Sequence, residues 1–177
     1  MRIALVFAAG TIAGLAATNV FAGTEAVSFP EGYDTKFLRY TTVDRPDRKP
    51  AIVRFMYVNR ETLDAARAGE PLPYGTVLVM EDHKARLDAG GAAVEGADGR
   101  LVATGEVTNV FVQQKEKGWG ADYPDDVRNG EWEYAWFLAD GSRKPDAKFD
   151  RCFSCHAGQA DDDYNFTFGA WLNERGR

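Results

Sequence analysis

Read for the alternation of apolar and polar positions, the chain is a succession of short strands with few helices. Phe37 to Val43 predicts a strand that stops at the polar, Pro-interrupted stretch Asp44 to Pro50, a surface loop. Ala51 to Val58 is rich in β-branched and aromatic residues and predicts a second strand. Asn59 then stands where an N-cap would, before a short helix through Ala68 that Gly69 ends. The turn Pro71-Leu72-Pro73-Tyr74-Gly75 leads into a strand over Thr76 to Ala85. Alternation there puts Leu78, Met80, Asp82 and Lys84 on one face, and Val77, Val79, Glu81 and His83 on the other.

Gly90 to Gly99 is small and acidic, an exposed loop. Glu106 to Lys115 alternates again, and Trp119 to Gly130 reads as a long turn-rich loop. Glu131 to Leu138 predicts a further strand with Trp132, Tyr134 and Trp136 on one face, closed by the turn pair Asp140-Gly141. Lys148 to Ala157 has the composition of a short helix. The alternation of Phe166 and Phe168 predicts a final strand or extended cover.

The first residues change the picture of where the chain works. Arg2, the short apolar run Ile3 to Ala17 and the small-residue end Val20-Phe21-Ala22 read as a secretory signal over residues 1–22, with a mature chain from Gly23. The run is too short, and too broken by Gly10, Thr11 and Gly14, for a permanent span, and no later segment is apolar enough for one. A periplasmic location follows as the expectation, and 23–177 is the size of a single domain. The signal carries Arg2 and no acid, so the mature chain keeps 20 basic against 27 acidic side chains. A net charge near −7 argues against nucleic acid as a partner.

The two cysteines carry the most specific chemistry. Cys152-Phe153-Ser154-Cys155-His156 is the attachment sequence of c-type haem: each thiol adds across one porphyrin vinyl group, and the adjacent imidazole is the proximal iron ligand. A disulfide is the competing use of two exported cysteines, and a thioredoxin-like site another. The strand-rich pattern does not favour the latter, and neither needs the following histidine. A zinc site needs about four ligands, and His83 is the only nitrogen ligand beyond His156.

The order of these features is itself a signal. Leu72-Pro73-Tyr74-Gly75-Thr76-Val77-Leu78-Val79-Met80-Glu81, Trp119-Gly120, Arg128-Asn129-Gly130-Glu131-Trp132 and the late haem sequence followed by Ala160-Asp161-Asp162-Asp163-Tyr164-Asn165-Phe166-Thr167-Phe168 resemble the cytochrome P460 family, which includes the cytochrome c′-β proteins. The resemblance implies an α+β, mainly β fold, an antiparallel sheet with a few helices packed around one covalently bound c-haem. It also implies a homodimer and a five-coordinate iron open to a small ligand. Hydroxylamine-oxidising members pass electrons to an acceptor cytochrome and have a lysine nitrogen bonded to the porphyrin edge. The c′-β members lack that bond and bind gases such as nitric oxide.

Lys84 is the candidate for that lysine, with Lys36, Lys115 and Lys117 behind it; a solvated strand-end lysine is the competing reading. Glu81, Asp82 and Glu133 are candidate bases for protons released from hydroxylamine, and Glu133 with Lys84 makes the catalytic set. An apolar group from Phe55, Phe111, Phe137 or Phe166 at the iron instead favours diatomic gases. A six-coordinate electron carrier needs a further ligand, for which the chain offers Met56, Met80 and His83.

Overall fold

The computed structural model describes residues 23–176, so the expected signal segment lies outside the described residues. Its centre is one antiparallel sheet of five strands in the order of the chain: β1 (Leu38–Arg45), β2 (Ile52–Val58), β3 (Thr76–Ala85), β4 (Ala103–Lys115) and β5 (Trp132–Phe137). Four helices accompany it: α1 (Tyr33–Lys36), α2 (Arg60–Ala65), α3 (Asp150–Ala157) and α4 (Phe168–Glu174). This is the mainly β, α+β architecture that the resemblance implies, with the strands that the alternation predicts.

The sheet is buried on both faces, which explains why β5 is closed over on all sides from Trp132 to Ala135. On one face Val58, Leu78, Trp132 and Tyr134 pack with Phe153 of α3 and with Phe168 and Leu172 of α4. On the other, Tyr57, Val79, Val110, Val112, Ala135 and Phe137 pack under the N-terminal segment, which contributes Val27 and Tyr33. That segment is fastened by polar contacts. Arg143, just after β5, donates to the carbonyls of Thr24 and Glu25 at 2.9 and 3.0 Å, and Tyr33 Oη donates to Glu81 of β3.

Three local expectations are corrected. The helix after Asn59 ends at Ala65, not Ala68; Asn59 stands at the N-cap position as expected, without a side-chain bond to the helix backbone. Its side chain instead accepts from Val77 N at 2.9 Å and donates to Gly75 O at 3.0 Å, tying α2 to the start of β3. β4 begins at Ala103, three residues before the expected start. The expected closing strand is a turn followed by α4. Asn165 Oδ1 accepts from the N–H groups of Thr167, Phe168 and Gly169, which supplies the donors of a first helical turn with a partner. Phe168, Trp171 and Leu172 then follow helical spacing, and burying Phe168 and Leu172 completely is worth about 1.5–3 kcal/mol each.

Candidate functional site

Helical spacing in α3 brings Cys152, Cys155 and His156 to one side, since positions three and four apart share a face. Phe153, three residues before His156 and packed on the same Tyr134 ring, anchors the helix. Its ring lies 4.9 Å from Tyr134 and 5.0 Å from Tyr123, centre to centre, and it is buried. Asn129, itself buried, donates from its amide to Phe153 O at 3.0 Å and to Tyr134 Oη at 2.9 Å, so one side chain joins α3 to β5. The two cysteines are not joined to each other; Cys155 is exposed, and burial pushes the Cys152 thiol up.

His156 is held in a defined orientation. Its ring sits between Tyr134 and Phe166, at 4.8 and 5.0 Å, and Nδ1 donates to the carbonyl of Tyr164 at 2.8 Å. With the proton fixed on Nδ1, the Nε2 lone pair is the one presented to a metal. Burial lowers the basicity of the ring, with the Tyr164 carbonyl opposing, and so favours the neutral imidazole that a metal requires.

The carbonyl that orients His156 comes from an unusual turn. Asp163 and Tyr164 are consecutive non-glycine residues in the left-handed region, at φ 51° and 59°, each at a cost on the order of 1–3 kcal/mol. The turn is secured from three sides. The Asp163 carboxylate accepts from Leu72 N and from Lys115 Nζ of β4, each at 2.8 Å. Gln113 of β4 donates to Tyr164 O at 2.9 Å. The Tyr164 ring lies against Gly130, where an added Cβ would stand 3.0 Å from it, and a Cβ on Gly120 would stand 2.5 Å from the Gly130 carbonyl. Both glycines have positive φ, so their place in the Trp119-Gly120 and Arg128 to Trp132 motifs has a steric reason.

The sheet face beside His156 is built of cross-strand rows. Val58, Leu78, Gln113 and Tyr134 pair directly across four strands and are buried. The next row is Met56, Met80, Phe111 and Trp136, also directly paired, made of apolar and aromatic side chains and only half-buried. Beyond it lie Arg54, Asp82 and Asn109; Arg54 bonds Asp82 at 2.8 Å and Asn109 accepts from Trp136 Nε1 at 2.8 Å. An apolar strip that adjoins the row of Tyr134, on which the oriented imidazole packs, fits the flat face of a haem.

The candidate residues divide between the two faces. Met56, Met80, Asp82 and Phe111 lie on the His156 side, and Phe166 is against His156 itself, 47 % exposed. Phe55, Phe137, Glu81 and His83 lie on the far face. There His83 is bonded through Nε2 to Glu81 and through Nδ1 to Thr104 O at 3.0 Å, so both ring nitrogens are occupied away from α3. Lys84 sits on the same side as Asp82, exposed at the strand end and paired with Glu106. Lys115 is buried and committed to Asp163, Lys36 donates to Glu31 O at the surface, and Lys117 is exposed.

Glu133 is fully buried on the far side of β5. It accepts from Tyr123 Oη at 3.1 Å, and so reaches α3 only through the Tyr123 ring on Phe153. Burial pushes its carboxyl up to about 7. Gln113, Asn129, Asp163 and Tyr164, which orient the histidine and its helix, were not singled out by sequence reasoning; Asn129, Asp163 and Tyr164 lie inside the quoted motifs, which was the one signal that pointed to them. Among the described residues no group of three or more His, Cys, Asp or Glu is disposed to hold a bare metal ion.

The Cytochrome P460 family model matches residues 30–167, from before α1 to the residue preceding α4. No curated protein matches the chain.

Proposed function

The chain belongs to the cytochrome P460 family and is a c-type haem protein, and from that premise we propose that it binds a small nitrogen-oxide gas such as nitric oxide. In this reading Cys152 and Cys155 hold one haem by thioether bonds and His156 is its proximal ligand. A haem so bound supplies an iron with a coordination position for a diatomic ligand. The protein's part is to orient and exclude. The Tyr164 carbonyl fixes the imidazole, Phe153 and Asn129 fix the helix that carries the thiols, and the Met56, Met80, Phe111 and Trp136 row presents an apolar surface to the macrocycle.

That row is the observation that carries the reading. Its apolar contacts favour an uncharged ligand over a charged one; of the lysines near it, Lys84 is engaged with Glu106 and Lys115 with Asp163, and Lys144 lies over the Trp136 ring at 5.7 Å. The export pattern of residues 1–22 supports work in the periplasm, and no helix among the described residues is long and apolar enough to cross a membrane. The homodimer and the electron-acceptor cytochrome rest on the family resemblance.

Hydroxylamine oxidation is the second reading. It is favoured by Glu133, a buried carboxyl brought near neutrality and therefore suited to take up protons, and by the place of Lys84 on the His156 side of the sheet. Six-coordinate electron transfer keeps Met56 and Met80 as ligands and loses His83 to the far face.

The deciding experiment is nitric oxide titration of the ferrous protein with its spin state before addition. A high-spin, five-coordinate spectrum that converts on addition supports the proposal, and a low-spin spectrum indifferent to the gas sinks it. Retention of haem by Cys155→Ala through acid-acetone extraction, or an unchanged spectrum in His156→Ala, would remove the attachment and ligand assignments.

A further inference from the structure

One oxygen atom on the proximal side serves two donors. The Tyr164 carbonyl accepts from His156 Nδ1 at 2.8 Å and from Gln113 Nε2 at 2.9 Å. We infer that Gln113 is a positioning residue that sets how strongly His156 binds iron, by competing for the carbonyl that polarises the imidazole. The inference rests on His156 being the proximal ligand.

The argument is electrostatic. A ligating histidine that donates its second N–H to a carbonyl becomes a stronger base toward the metal, because the acceptor draws the proton and leaves charge on the ring. A carbonyl oxygen has two lone pairs and takes two donors, but each donor withdraws density from the same oxygen and weakens its pull on the other. Gln113 thereby tempers the electron donation of His156. It does so from a rigid platform, for Gln113 is buried in β4 opposite Tyr134, and two residues along the same strand Lys115 holds the neighbouring Asp163. The strained backbone at Asp163 and Tyr164 is what turns the carbonyl toward both donors.

Removing the competing donor should leave the carbonyl to His156 alone. The imidazole gains anionic character, the iron–histidine bond strengthens, and ferric haem is favoured. In Gln113→Leu the iron–histidine stretch of the ferrous protein, read by resonance Raman, moves to higher frequency. The ratio of ferric to ferrous haem at a fixed ambient potential rises by up to about tenfold, which is about 59 mV for a one-electron couple. Gln113→Met carries the same expectation should the branched side chain impair folding. Gln114→Met, on the opposite face of the same strand, should change neither quantity.

An unchanged stretch and potential in both Gln113 variants, with the parent band present, overturns the inference alone. An equal shift in Gln114→Met also overturns it, since any disturbance of β4 would then suffice. A His156→Ala protein whose ferrous spectrum and potential match the parent's overturns the ligand reading and this inference with it.

Discussion

Lys84 Nζ stands 2.6 Å from Glu106 Oε1, joining β3 to β4 at the end of the sheet beyond Asp82. Both side chains are close to half exposed, so the pair itself contributes no more than about 1 kcal/mol. Its importance is positional. The middle of β3, where the strand crosses the apolar strip, is occupied by Met80, and the lysine lies four residues farther along, at the polar margin.

The peptide carrying Lys84 is therefore expected at its unmodified mass after proteolysis, with the ferrous Soret band where ordinary c-haem places it. Lys84→Met should alter neither. A strongly red-shifted band together with a haem peptide joined to the Lys84 peptide would establish a cross-linked macrocycle and move the function to hydroxylamine oxidation.

Glu133 gives a pH-dependent stability of unusual sign for a carboxylate. Burial raises its folded pKa to about 7 from an ordinary 4.5, so the unfolded chain ionises first. Stability is unaffected below the ordinary value, falls as pH rises between the two, and stays low above about 7. Urea unfolding should show the protein losing about 2–3 kcal/mol between pH 5 and 8 from this group. Glu133→Gln should flatten that slope, and an unchanged slope would mean that Glu133 does not titrate in this range.

The far face holds a network of the opposite character. Burial raises the Glu81 carboxyl, but the hydrogen bonds from His83, Tyr33 and Tyr57 outweigh it and hold the group below its ordinary 4.5. Its contribution is present above that value and is lost as pH falls through the lowered folded pKa. The Glu81 bond raises His83 above its ordinary 6.5 against the effect of burial, so its contribution is full below 6.5 and fades as pH rises through the raised folded value. The network thus stabilises most between pH 4.5 and 6.5. Tyr33→Phe should cost about 1–3 kcal/mol there. Calorimetry at pH 5.5 checks it, and limited proteolysis should show the N-terminal segment more readily cut.

Asn129 makes the haem helix dependent on a single amide. Asn129→Ala leaves Phe153 O and Tyr134 Oη without that donor in a buried place, an expected loss of about 2–4 kcal/mol. Thermal unfolding measures the loss, and the yield of covalently attached haem on expression should fall with it. A variant as stable and as fully haem-loaded as the parent would show that Asn129 is dispensable.

Much of this was legible in the chain and some was not. Strong β-branched patterning marked β3 from Thr76 to Ala85, and period-two alternation sorted its side chains correctly into two faces. Which face meets His156 was not readable, because either set pairs with a neighbour strand equally well; only the packing of α3 against Tyr134 decides it. α4 was missed because Phe166 and Phe168 mimic a strand, whereas Asn165 collects three backbone donors and turns the chain into a helix. That Cys152, Cys155 and His156 share one side of a helix was readable from their spacing. The atoms that orient His156 were not, since a backbone carbonyl and a glutamine on a distant strand leave no local mark.

The strand order follows the chain without a crossover, so each strand meets its partner as soon as both have been made. Closing such neighbours costs little loop entropy and proceeds quickly. The helix with the thiols comes only after the fifth strand. A chain emerging from its N-terminus therefore completes the strands of its sheet before the segment with the two cysteines and His156 arrives. If haem attaches at that segment as proposed, it comes last in assembly, and an arrest there would leave a folded sheet waiting for its haem.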